Sequence, residues 1–280
     1  MSFSAPLTAN ATATRVATPA DQAHGLRQMF ATRSLRFVPI VANASAGCGG
    51  LVLERLCTAY AALGLHTLVV DASDQARLPC ELAEFDLSEG IEPLSRQVSY
   101  MAARGLPLRH VDARGCCASL LDALADAAPQ SDVVLVLASA SELVRLFAQR
   151  ARGHNLRPLV FTNDLAEGLK DAYTSVKLLS QRGGWMAYDL VVCAGARSRQ
   201  APQVAERLAQ CADTFMGVAQ RHWMLLDPHE RPESDISPQL QDLAGGLLRH
   251  ALPVALGDNA FDHLVYPGAA LPSRRATALN

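Results

Sequence analysis

The chain has 280 residues, half of them apolar, with 25 basic and 27 acidic side chains and a formal net charge of −2. That length allows one large α/β domain or two small ones, with ample apolar material for a buried core. The interspersed charges exclude the one-sided basic field that holds a protein on nucleic acid, so no nucleic-acid partner is expected.

Residues 1–20, MSFSAPLTANATATRVATPA, carry one arginine and no unbroken apolar run. They read as neither a secretory signal nor a membrane span, and as a disordered lead that buries too little surface to order itself. The stretch DQAHGLRQMF offers Asp21 as an N-cap and Ala23, Leu26, Met29 and Phe30 at three- and four-residue spacing. This predicts a short amphipathic helix within residues 21–35, which orders only by docking on its own domain or on another protein.

From residue 37, apolar runs alternate with helical patterns: FVPIVA, then LVLERLCTAYAALG; HTLVVDA; LPLRHVDA; a helix from about Ala118 to Ala128; DVVLVLA; SELVRLFAQRA; LRPLVFT; a helix from Leu165 to Gln181; YDLVVCAG; and APQVAERLAQCA. The strand segments are continuously apolar rather than alternating. Residues 36–250 are therefore expected to form an α/β domain with a mostly parallel sheet covered by helices on both faces, closed by a helix from Pro238 to His250. Residues 251–280, interrupted by Pro and Gly, read as a loose tail. The seven cysteines lack CxxC spacing, which suits small buried thiols in a reducing compartment, and no metal site is expected.

In an open parallel sheet, ligands lie at the carboxyl ends of the strands, where the order switches. There the sequence places Asn43 to Gly50, Asp71 and Ser73, Ala138 to Ser141, Thr162 to Asp164, and Gly195 to Arg197. The stretch FVPIVANASAGCGGLVLERL has the outline of a phosphate-binding loop entering a helix, but it lacks the lysine and the Ser or Thr that reach phosphate and Mg²⁺. The first basic residue downstream is Arg55, a full turn too late. Gly47, Cys48, Gly49, Gly50, Asp71, Thr162 and Asn163 are the candidate nucleotide-facing positions, and none is a candidate catalytic group. A lone strand-end Asp such as Asp71 is as often a turn residue as a ligand, and the two readings carry equal weight.

Two longer stretches carry a resemblance. LVFTNDLAEGLKDAYTSVKLL, with Asp171, Ala172, Tyr173 and Lys177, and YDLVVCAGARSRQAPQVAERLAQCADTFMGVAQRHWMLLDP, with Phe215, Gly217 and Val218, resemble the MinD/ParA group of deviant P-loop ATPases. DQAHGLR resembles the N-terminal motif of flagellar regulators of the FlhG (FleN) type within that group. The resemblance implies a SIMIBI-class P-loop NTPase fold and control of flagellar number or placement. It also implies an FlhF-like signal-recognition-type GTPase as partner, bound through Asp21, Gln22, Ala23, Leu26, Arg27 and Phe30. It extends to flagellar transcription or switch proteins as further partners, and to a homodimer. A cytoplasmic protein recruited to the cell pole or inner membrane face is implied, with weak or no membrane contact of its own, since the tail has only Arg274 and Arg275 beside helix-breaking prolines.

The departures from that family shape the biochemistry. Counting back from Gly64 and Asp71, the family's loop lysine and Ser/Thr fall on Gly49 and Gly50, and its first lysine on Ala44. The switch aspartate that follows the fourth strand is replaced within Leu137, Ala138, Ser139, Ala140 and Ser141. Phosphoryl transfer depends on those charges. A pseudo-ATPase is expected, with no cofactor or with weakly held ATP or ADP. The alternatives are an ATPase in which Arg55 or a second subunit supplies the cation, and a polar-localisation adaptor of the same fold.

Overall fold

The computed structural model describes residues 34–230 and 236–255. The DQAHGLR helix lies outside the described residues, as does the tail from 256 onward. The first strand, β1 (Ser34–Val41), is buried on both faces over its last five residues, which fits its apolar run and places it at the centre of the sheet. Parallel to it on one side runs β5 (Val133–Ala138), in register from Arg36↔Val133 to Val41↔Ala138. On the other side β6 (Leu159–Asn163) pairs with its C-terminal end, and β9 (Leu252–Ala255) runs antiparallel along its N-terminal half. The remaining strands are β2 (Thr67–Asp71), β3 (Ile91–Pro93), β4 (Val98–Ala102), β7 (Ala187–Cys193) and β8 (Ala219–Leu226). They complete the order β3-β4-β2-β5-β1-β6-β7-β8, in which β3 is antiparallel to β4 and the other neighbours along the path are parallel. The last strand ends at Ala255, so the sheet takes in residues that the sequence assigns to the tail.

Helices cover both faces. One layer contains the short α2 (Leu106–Arg109), α3 (Ser119–Ala127), α4 (Ala140–Phe147), α5 (Ala166–Gly183) and α6 (Gln200–Met216). The other contains α1 (Gly49–Ala62) and α7 (Pro238–Arg249), joined where the buried Tyr60 hydroxyl donates to the Ala244 carbonyl at 3.3 Å. Each Leu, Val or Phe that these helices bury contributes about 1.5–3 kcal/mol of transfer free energy, which makes the two apolar layers the main support of the sheet. No described helix is long and apolar enough to cross a membrane.

One strand assignment is corrected. LPLRHVDA is not a strand: Gly105 has a φ of +75°, and Pro107 sits in the first turn of α2. Its place is taken by β4, which pairs with β2 through Thr67↔Val98 to Asp71↔Ala102. β4 is mostly half-buried and includes Ser99 and Tyr100, so it lacks the continuous apolar signature of the central strands.

Within β7 the fully buried Asp189 accepts a hydrogen bond from Arg157 at 3.2 Å and from the backbone N–H of His222 at 3.2 Å. Burial raises the Asp189 pKa above its ordinary value of 3.8, against the pull of Arg157. Relative to the unfolded chain, the fold therefore favours the neutral acid. This group's contribution is complete below the ordinary value and is lost as pH rises through the raised one. The unfolding free energy of the wild type minus that of Asp189→Asn, measured by urea denaturation, should accordingly fall as pH rises through the acidic range. A difference that grows with pH would show that the ion pair outweighs desolvation.

Candidate functional site

The chain leaves β1 toward α1 on one face, and leaves β5 toward α4 on the opposite face. At that divergence lies a cavity of about 300 Å³, walled by the loop after β1, the turn after β2, the end of β5 and Phe161 of β6. The loop turns on Gly47, whose φ of +67° favours glycine over residues with a Cβ. It enters α1 at Cys48, which offers no side-chain cap, and α1 has no acidic residue in its first turn. The first N–H groups of α1 thus lack intrahelical acceptors.

What fixes the loop is Asn43, nine-tenths buried. Its Nδ2 donates to the carbonyls of Phe161 and Gly168, each at 3.0 Å, and its Oδ1 accepts from the Ala46 N–H at 3.2 Å. Asn163 adds a second tie, donating to the Ser45 carbonyl at 2.9 Å, and Ser45 Oγ donates to Asp171 of α5 at 2.5 Å. The start of α5 comes so close that a Cβ on Gly168 would lie 2.2 Å from Asn163 Oδ1. No larger residue fits there without displacing the loop's anchor.

The candidate nucleotide-facing residues separate on inspection. Gly47, Gly49, Gly50 and Asp71 line the cavity together with Ser73, Asp74, Gln75 and Ser139. Thr162 does not: it is fully buried and donates to the Asn163 carbonyl at 3.1 Å. Asn163 serves the loop's backbone instead. Asp71 lines the cavity, and its Oδ1 accepts the Ser73 N–H at 3.0 Å, the local-turn contact of the second reading given to it. Asp74 and Gln75 carry no sequence signal, because only the turn after β2 brings them over the loop. Asn43 opens the predicted loop, and its anchoring role depends on contacts more than a hundred residues away.

Cys48 is also not a free thiol. It is joined to Cys193 at the end of β7 as a disulfide, with Cα atoms 6.6 Å apart. The expectation of seven unpaired cysteines is corrected for this pair, which lies 145 residues apart in sequence and is brought together only by the strand order. Cys57 and Cys117 are buried free thiols as expected, and burial followed by Glu54 pushes Cys57 up to about 12. Among the described residues, no His, Cys, Asp and Glu side chains gather as a metal site.

The charges at the cavity run against a phosphate. Among the described residues Asp71 and Asp74 are its only charged lining groups, and no Lys or Arg lines it. Arg55 is buried and donates to the Glu230 carbonyl at 2.9 Å, so it does not turn back over the loop. At the switch position Ser139 caps α4. Its Oγ lies 3.3 Å from the Glu142 N–H, and the Glu142 carboxylate in turn accepts from the Ser139 N–H at 3.2 Å. The Glu142 carboxylate is therefore engaged in helix capping. Beside the cavity an apolar groove of about 500 Å³ runs between α1 and β4, walled by Leu53, Cys57, Val69, Leu94 and Val98.

No family model matches the chain, and no curated protein sequence matches it. Solved structures do. A putative plasmid partition protein from Borrelia burgdorferi, bound to AMPPNP, matches over 76% of this chain and 96% of its own, with a TM-score of 0.50 and 8% identity. Apo McdA from Cyanothece matches over 77% and 96%, with a TM-score of 0.50 and 11% identity. Cobyrinic acid a,c-diamide synthase from Mycobacterium smegmatis, with bound ADP and magnesium, matches over 77% and 95%, with a TM-score of 0.52 and 15% identity. At these identities the likeness is one of fold, and the chain has the mostly parallel α/β fold of MinD/ParA-type P-loop ATPases.

Asn43→Ala should cost about 2 kcal/mol of stability, because it removes the buried amide's hydrogen bonds to the Phe161 and Gly168 carbonyls and to the Ala46 N–H. Asn43→Asp should cost at least as much, since it sets a carboxylate against the same carbonyls. Urea unfolding of the three proteins checks this. An unchanged midpoint in both variants would show that the loop is held without the Asn43 amide.

Proposed function

We propose that this protein is a non-hydrolysing regulator built on the MinD/ParA fold, of the FlhG type, which controls flagellar number or placement through an FlhF-like GTPase. The observation that carries the non-hydrolysing half is the lining of the loop cavity, where Asp71 and Asp74 face the space and Arg55 is committed to Glu230. Phosphoryl transfer needs cations at the departing charge and a positioned water, and the cavity offers neither group for that work. The partner half is supported by the DQAHGLR sequence, in which Gln22 precedes an apolar face of Ala23, Leu26, Met29 and Phe30. The competing reading, an active ATPase, requires a cation delivered by another subunit.

Calorimetry with ATP and Mg²⁺ should show no micromolar binding and no turnover. Micromolar binding with Mg²⁺-dependent hydrolysis would establish the competing reading. Gly49→Lys with Gly50→Thr should tighten ATP binding without restoring turnover, since Ser139 and Glu142 still hold the switch position. Gly50 has open space for the new side chain, whereas a Cβ at Gly49 meets Phe161 Cζ at 3.2 Å, so that ring must give slightly.

A peptide covering residues 15–35 should bind an FlhF-type GTPase from the same organism and stimulate its GTP hydrolysis. Leu26→Ala should weaken association by about 2 kcal/mol as an interface anchor. Gln22→Ala should leave association nearly unchanged and abolish stimulation, as expected of an amide that orients the attacking water. A peptide that neither binds nor stimulates would remove the flagellar assignment.

A further inference from the structure

At the end of the sheet opposite the loop, a hollow of about 610 Å³ opens beside the C-terminal ends of α4 and α5. Four arginines from four separate segments line it: Arg114, Arg145, Arg152 and Arg182. No Asp or Glu lines it, and none of the four has an ion-pair partner among the described residues. Arg150, between two of them in sequence, shows the contrast, because it is paired with Asp122.

The segments that carry these arginines are fixed. Asp112 Oδ1 accepts the N–H groups of Arg114 and Cys116, each at 2.8 Å, which shapes the turn carrying Arg114. The Arg145 carbonyl accepts the Cys117 N–H at 3.0 Å, tying that turn to α4. Arg145 and Arg182 sit in the last turns of their helices, where a cation suits the helix dipole. That effect does not account for Arg114 or Arg152, which come from turns.

A second hollow, of about 580 Å³, adjoins the first across Gly184 and is lined by Trp185, Arg157 and Arg221. Trp185 is 6% exposed, and its indole N–H is buried with no acceptor. Four guanidinium groups that are unpaired among the described residues, in one hollow with no carboxylate in its described lining, describe a site for an anion. Converging guanidinium forks suit phosphate oxygens, which they bind in bidentate fashion.

We propose that the hollow between the ends of α4 and α5 binds a small ligand carrying two or more linked phosphates, gripped by Arg114, Arg145, Arg152 and Arg182. A phosphate chain offers these four groups more acceptor oxygens than a single orthophosphate does. The site is separate from the loop cavity: α5 has 18 residues, about 27 Å of helix, with Gly168 against Asn43 near one end and Arg182 in its last turn at the other.

The test uses full-length protein carrying Trp223→Phe, so that emission reports Trp185, which packs edge-on to Phe147 of α4 with centroids 6.4 Å apart. Sodium tripolyphosphate is titrated against orthophosphate at matched ionic strength, with calorimetry on the same samples. Tripolyphosphate should saturate and bind at least about tenfold more tightly than orthophosphate. Arg152→Gln and Arg182→Gln should each weaken it by about tenfold, the cost of one charged hydrogen-bonding group. Arg77→Gln, at a residue that pairs with Glu92 at the far edge of the sheet, should leave it unchanged. A nucleoside triphosphate without metal forms a second arm. Tighter binding than tripolyphosphate, lost in the same variants, assigns the hollow to a nucleotide, and equal binding assigns it to the bare chain. No heat and no emission change at millimolar tripolyphosphate would overturn the proposal. So would equal affinity in the Arg152→Gln, Arg182→Gln double variant with an unchanged melting temperature.

Discussion

The Asn43 side-chain amide joins the parts on which the loop end of this fold depends. It sits at the mouth of the central strand and satisfies a carbonyl of β6, a carbonyl of α5 and an N–H of its own loop. Without it, the loop would lose these ties to β6 and α5, in a space that the packing of Gly168 against Asn163 leaves tight. The loop keeps the path of a phosphate-binding loop because protein groups hold it from behind. Its shape therefore does not require a nucleotide in front.

The shape of the loop is thus held apart from the charges around it. The turn needs a glycine at position 47, a small residue at Gly168 and the Asn43 contacts, and all of these are backbone and packing requirements. The charged groups nearby are engaged locally: Glu142 belongs to the Ser139 capping box, and Asp71 is partly employed in its own turn.

The legible part of the structure was the part governed by period and burial. The central strands read as continuous apolar runs because both of their faces are covered, and α5 and α7 fell within two residues of the expected bounds. β4 was missed because an edge-side strand with half-buried positions has no such run, while LPLRHVDA imitated one until Pro107 and Gly105 set a helical turn. At the site, the loop glycines were readable from spacing. Asp74, the Asn43 contacts and the Cys48–Cys193 pair were not, since each depends on which strands become neighbours. Thr162 was misplaced by one residue of pleat, for alternate side chains at a strand end point to opposite faces.

Net charge hid the largest electrostatic feature. A total of −2 suggests an even surface, yet among the described residues the charged groups lining the loop cavity are both carboxylates, while those lining the hollow beyond the far end of α5 are all arginines. Such segregation costs energy, because like charges are held near each other without partners at each end. Where the chain does pair its charges, as in Arg157 with Asp189 or Arg150 with Asp122, the partners lie close by, so complementary groups were available to the fold. Leaving four arginines unpaired around a concavity is therefore not forced by the packing. Among the described residues the lining of the loop cavity carries no cation, while the hollow at the opposite end of α5 carries four.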